Sequence, residues 1–103
     1  MLIVTIDKLE NKNYEVLGIV KGSTIQTKNL IKDIGSGLKT LVGGELVAYN
    51  EMMNQARALA TSRLVDEAET LGADAIIGVR YSSASVMAGA AEIMAYGTAI
   101  KYI

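Results

Sequence analysis

The sequence contains no cysteine and no histidine. The first absence excludes disulfide staples and thiolate chemistry. Together the two remove the ligands that soft and borderline metals prefer. They also remove the usual Ser-His and Cys-His pairs of nucleophile and base. Proline is missing as well, so glycine punctuates the chain. Ten basic and eleven acidic residues leave a net charge of −1 and no basic stripe, which speaks against nucleic-acid binding. Long apolar runs are missing too. Met1-Leu2-Ile3-Val4-Thr5-Ile6 stops at Asp7 and Lys8, far short of a signal-peptide core. The uncharged run between Arg80 and Glu92 is too short to span a membrane. The expectation is a cytoplasmic protein with no membrane partner.

What is present is a 103-residue chain, half of it hydrophobic, with a mean hydropathy of +0.29. This length is one domain, residues 1–103, and buries only about 60–70% of the surface its unfolded form exposes. The apolar excess points to association with further copies of the chain.

Hydrophobic spacing places the elements. Leu2–Ile6 and Tyr14–Ile25 read as strands, the second interrupted by Gly18 and Gly22. Thr27 can cap a short, glycine-weakened helix carrying Leu30, Ile31, Ile34, Leu38, Leu41 and Val42. After Gly43-Gly44, a long helix runs from Glu45 to Leu71. Its stripe is Leu46, Tyr49, Met53, Ala56, Ala60, Leu64, Ala68 and Leu71. Arg63 and Glu67 can pair one turn apart, and Gly72 stands where a left-handed cap belongs. Two more strands follow, from Ala75 to about Ser83 and from Ala91 to Tyr102, with the hairpin tip near Met87–Ala90. The class is α+β.

Alternation gives that hairpin two apolar faces. Ala75, Ile77, Val79 and Tyr81 fall with Ile93, Ala95, Gly97 and Ala99, whose small side chains admit a helix. Ile76, Gly78, Arg80 and Ser82 fall with Glu92, Met94, Tyr96, Thr98 and Ile100. One helix covers one face, so the second is expected to meet another subunit, with Gly18, Ile76, Gly78, Met94 and Ile100 at the contact. Arg80, Glu92 and Tyr96 share that face and are the candidate ligand or interface group, with an Arg80–Glu92 ion pair across the strands.

Other motifs carry no chemistry. Gly35-Ser36-Gly37-Leu38-Lys39-Thr40 has the residue types of a phosphate loop in the wrong order. Asp66, Glu67, Glu69 and Asp74 read as a solvated acidic helix end, because a calcium or magnesium site needs more converging oxygens. Ser82, Ser83 and Ser85 are hairpin serines with no nearby lysine. No catalytic residue, cofactor or metal site is expected.

Several motifs in this order resemble the YbjQ-like family of small proteins, which carries a heavy-metal-binding label. They are Leu17-Gly18-Ile19-Val20-Lys21-Gly22, Gly43-Gly44 with Tyr49, and Ala56-Arg57 with Ala60. Leu71-Gly72-Ala73-Asp74-Ala75-Ile76-Ile77-Gly78-Val79-Arg80-Tyr81 and Tyr96-Gly97-Thr98-Ala99-Ile100 complete the set. The resemblance implies a two-layer β-α-β-β domain, akin to dodecin-like folds, with an antiparallel three-stranded sheet and a homopentameric ring. It adds Arg57, within a family motif, as a candidate contact to a neighbouring subunit or an anion. It supplies no catalytic residue. The function expected is therefore a non-enzymatic oligomeric module that binds an unknown small molecule or acts as a scaffold, with metal handling as the alternative.

Overall fold

The computed structural model of the chain describes residues 1–27, 41–42, 45–87 and 90–103. The described elements are β1 (Leu2–Ile3), β2 (Tyr14–Thr27), β3 (Leu41–Val42), β4 (Glu45–Leu46), α1 (Val47–Thr70), β5 (Ala75–Met87) and β6 (Ala90–Tyr102). Residues 28–40 of the predicted short helix lie outside this description, while Thr27, its expected cap, is the last residue of β2 and pairs with Ala90. Leu41 and Val42, placed in that helix by their spacing, instead form a small antiparallel ladder with Leu46 and Glu45. The long helix accordingly starts at Val47 rather than Glu45.

The main sheet has the order β1-β5-β6-β2. β5, β6 and β2 are antiparallel, while β1 joins β5 in parallel. The sheet is thus mixed and four-stranded, where an antiparallel three-stranded one with a separate short strand was expected. β1 extends its hold beyond two residues. Val4 N–H donates to the Ile76 carbonyl at 3.0 Å, Gly78 N–H to Ile6 at 2.7 Å, and Val79 N–H to Val4 at 3.0 Å.

α1 lies on one face because its inward residues are small. Ala56, Ala60, Leu64 and Ala68 recur every four positions and are fully buried. They pack on Val20, Ile76, Val79, Ile93, Ala95 and Ala99. Met52 extends this row toward the start of the helix, while Leu71 stays exposed just beyond its last turn. The helix stops as its sequence requires. Gly72 has φ +75°, its N–H bonds Glu69 at 3.0 Å, and Ala73 N–H bonds Ala68 at 3.1 Å, the six-to-one and five-to-two pattern of a Schellman cap.

Arg63 and Glu67 do not pair with each other as their spacing suggested. They reach the outer edge of β2, where Lys21 N–H donates to Glu67 Oε2 at 2.6 Å and Arg63 Nη1 donates to the Ser23 carbonyl at 2.6 Å. The two side chains stand where a fifth strand would bond.

A bulge in β5 changes which residues face the helix. Ile77 opposes Thr98, yet Arg80 opposes Tyr96, so Gly78 and Val79 together face Gly97. Gly78 has φ +62°, the left-handed conformation that opens a glycine bulge. The alternation therefore slips by one residue. Ile76 and Val79 both face α1, and Ala75 and Ile77 turn to the other side, the reverse of the uninterrupted reading for Ala75, Ile76 and Ile77. β6 has no such slip, and its faces follow the alternation.

Candidate functional site

Among the described residues, the sheet face opposite α1 is covered at one end only. There Ala75, Ile77 and Ile100 are buried beneath Val4, Leu9, Tyr14 and Tyr102. The N-terminal segment thus acts as a strap across the first part of the face. Arg80 fastens it. Its Nη1 donates to the Thr5 carbonyl at 2.8 Å and its Nη2 lies 3.6 Å from Asp7 Oδ1.

Beyond the strap the face is open. Its cross-strand rows run Ile19–Thr98, Lys21–Tyr96–Arg80, Ser23–Met94–Ser82 and Ile25–Glu92–Ala84. Ile19 is 81% exposed, Val16 63% and Ile25 56%, and Tyr96 is exposed among them. β-Branched side chains of this kind are ordinarily covered when they sit on a sheet.

The sequence-derived candidates divide accordingly. Arg80 and Tyr96 are direct neighbours across strands. Glu92 lies four residues further along β6, roughly 13 Å away at about 3.3 Å per residue. Arg80 takes Asp7 in place of the expected Glu92. Arg57 stands apart on the outer surface of α1, bonded to Asn54 Oδ1 one turn away.

Of the residues expected at a subunit contact, Met94 is half-buried on the open face. Ile76 and Ile100 are not available there. Ile76 is fully buried under α1 because of the bulge, and Ile100 is fully buried under the strap. Gly78 also sits by the strap, since a Cβ added to it would lie 3.7 Å from Asp7 Oδ1. Gly18, with φ +132°, marks a second bulge in β2 opposite Ala99.

Val16, Ile19, Lys21 and Ile25 escaped the sequence reading. The signal was present in β2's own alternation, hidden by the irregularity between Val16 and Gly18.

Oxygen donors do not gather. The Asp74 carboxylate accepts from Tyr102 N–H at 2.8 Å, and Glu67 is held at the edge of β2. Among the described residues no group of three or more Asp or Glu could hold a metal ion. The glycine-rich 35–40 stretch lies outside the described residues. Among the described residues, no helix is long and apolar enough to cross a membrane.

Comparison with known proteins places this architecture. Residues 1–103 match a family model described as "Putative heavy-metal-binding", the YbjQ model. A UPF0145 protein of Alkaliphilus metalliredigens is 63% identical over 103 residues, covering 100% of both chains. A UPF0145 protein of Methanosarcina acetivorans is 53% identical over 102 residues, covering 98% of this chain and 96% of its own. A crystal structure of a protein with unknown function from Pediococcus pentosaceus, assigned to the DUF74 family, aligns with a TM-score of 0.73. It is 24% identical and covers 100% of this chain and 98% of its own, a likeness of fold alone.

The donor set of this chain does not fit the metal in that description. A heavy metal is held most strongly by thiolate sulfur or imidazole nitrogen, and the chain has neither thiol nor imidazole, its sulfurs being five methionine thioethers. The match over all 103 residues, together with relatives identical at more than half their positions, assigns the chain to the YbjQ family.

Proposed function

We propose that the chain works as a non-enzymatic homo-oligomeric module, with a neighbouring copy closing the open sheet face of each subunit, and that the assembly binds a small molecule or serves as a scaffold. The observation that carries this reading is the exposed row of Val16, Ile19 and Ile25 beside Met94 and Tyr96. The resemblance noted in the sequence implies five copies in a ring. In such an assembly Arg80 and Tyr96 lie at the boundary between copies, and Arg57 faces outward from α1.

Multi-angle light scattering at micromolar concentration tests the assembly. The expected result is a single species at a multiple of 10.9 kDa, five-fold for the ring. A stable monomer would remove the reading.

Metal handling, the second reading, is supported by the family's description and opposed by the donor chemistry. Calorimetric titration with zinc, copper and nickel is expected to give no stoichiometric binding isotherm. A saturable isotherm with any of the three would restore it.

A further inference from the structure

We infer that the open sheet face of each subunit receives the outer ridge of α1 from the next copy, with Lys21 meeting Asp66 and Glu92 meeting Arg57 across the contact. The inference rests on reading the chain as a homo-oligomer and names the two surfaces that meet.

The sheet supplies the first surface. Lys21 stands on the open face beside Tyr96, and Glu92 lies four residues along β6 on the same side. Their separation is roughly 14 Å, from about 13 Å along the strands and about 4.8 Å across them. Arg80 is engaged by Asp7, whereas among the described residues Lys21 and Glu92 form no ion pair. Glu92 is already half-buried. A neighbour that covers Ile19, Met94 and Ile25 strips water from both charges, which is strongly unfavourable unless each gains a partner. The occupant must therefore bring an acid to Lys21 and a base to Glu92 at that spacing.

α1 carries such a pair. Asn50, Asn54, Ala58, Ser62 and Asp66 are exposed and follow one another at four-residue spacing. Each lies two residues, about 200° of turn, before a buried member of the row Met52, Ala56, Ala60, Leu64 and Ala68, and so points away from its own sheet. A helix side that faces water is ordinarily charged, yet this ridge holds Asp66 as its one charged residue. Ala58 and Ser62 at its centre are small enough for a sheet to lie close. Leu59, exposed beside them, offers an apolar contact to Ile19 or Ile25. At the far end Arg57 Nη2 donates to Asn54 Oδ1, which draws the guanidinium onto the ridge. Arg57 and Asp66 are nine residues apart, about 13.5 Å along the helix, and match the spacing on the sheet. The opposite signs at the two ends also fix the direction of the helix on the face. Open face and ridge lie on opposite sides of one subunit, so the contact is head-to-tail and passes from copy to copy.

Light scattering on the full chain and on charge-reversed variants tests the contact. The parent should be an oligomer at micromolar concentration. Glu92→Arg and Arg57→Glu should each raise the concentration at which it dissociates at least about ten-fold, and combining them should restore it to within about three-fold. Lys21→Glu and Asp66→Lys should show the same loss and rescue, and they carry the test if circular dichroism finds Glu92→Arg unfolded. An oligomer indifferent to the single reversals, or not restored by the double ones, overturns the contact and leaves the assembly standing. Rescue of Glu92→Arg by Lys21→Glu, and not by Arg57→Glu, would overturn it in favour of two open faces laid together. A monomeric parent removes the assembly and the contact with it.

Discussion

Replacing Gly22 by alanine should prevent α1 from seating on the sheet, with a loss of at least about 3 kcal/mol of stability. Gly22 lies on β2 opposite Ala95, under the middle of the helix. An added Cβ would run into Leu64 N and Ala60 O, and would stand 2.7 Å from Arg63 C. All three are helix backbone, so no side chain can swing aside. The helix would have to lift, and lifting it separates Ala56, Ala60, Leu64 and Ala68 from their partners together. A domain holds only about 5–15 kcal/mol in total, so this one methyl group removes a large share. Urea unfolding followed by circular dichroism reads the effect as a fall in midpoint. An alanine variant with the parent midpoint would show that α1 does not lie as close as described.

The paired change Ile19→Asp and Ile25→Asp should dissociate the proposed assembly while leaving the subunit folded. Both side chains are exposed on the isolated chain, where such substitutions usually cost within about 0.5 kcal/mol. Buried at a subunit contact, each new carboxylate would instead cost several kcal/mol of desolvation. The measurement is again paired. Light scattering should report the monomer mass, and the circular dichroism spectrum should keep its helical and strand content. If the variant assembles as the parent does, the open face is not the contact. Loss of the spectrum would mean that the face serves the fold itself.

The contrast between these two sites shows what the sequence could reveal. The helix, its alanine stripe and its glycine cap were legible because a 3.6-residue period and a positive-φ stop are local properties. The starts of β2 and β5 and the course of β6 were legible for the same reason, whereas β2 runs on past Ile25 to Thr27 and β5 past Ser83 to Met87. The sides of β5 were not. Gly78 reads in the sequence as one more small residue of a strand, and only its pairing against Gly97 reveals that the alternation slips there. That slip moves Ile76 from the expected contact surface into the core. The strap was illegible too, because which residue Arg80 would clasp depends on where the first seven residues are laid in space. Asp7, seventy-three positions away, is nearer to it than Glu92 in the hairpin. The open row on β2 shows an intermediate case. Its residues have a strand's composition, but their common side appears once the irregularity near Gly18 is allowed for.

The contacts of Arg63 and Glu67 with the rim of β2 have a consequence for the protein at high concentration. A fourteen-residue border strand with free amides and carbonyls is a template on which stray extended chain can stack, the first step toward fibres. The helix occupies that template at its centre with one donor and one acceptor. An incoming strand must evict both before it can zip along the border. The charged side chains that dock the helix thus also cork the sheet, so crowded copies have less opportunity to lengthen it from this side.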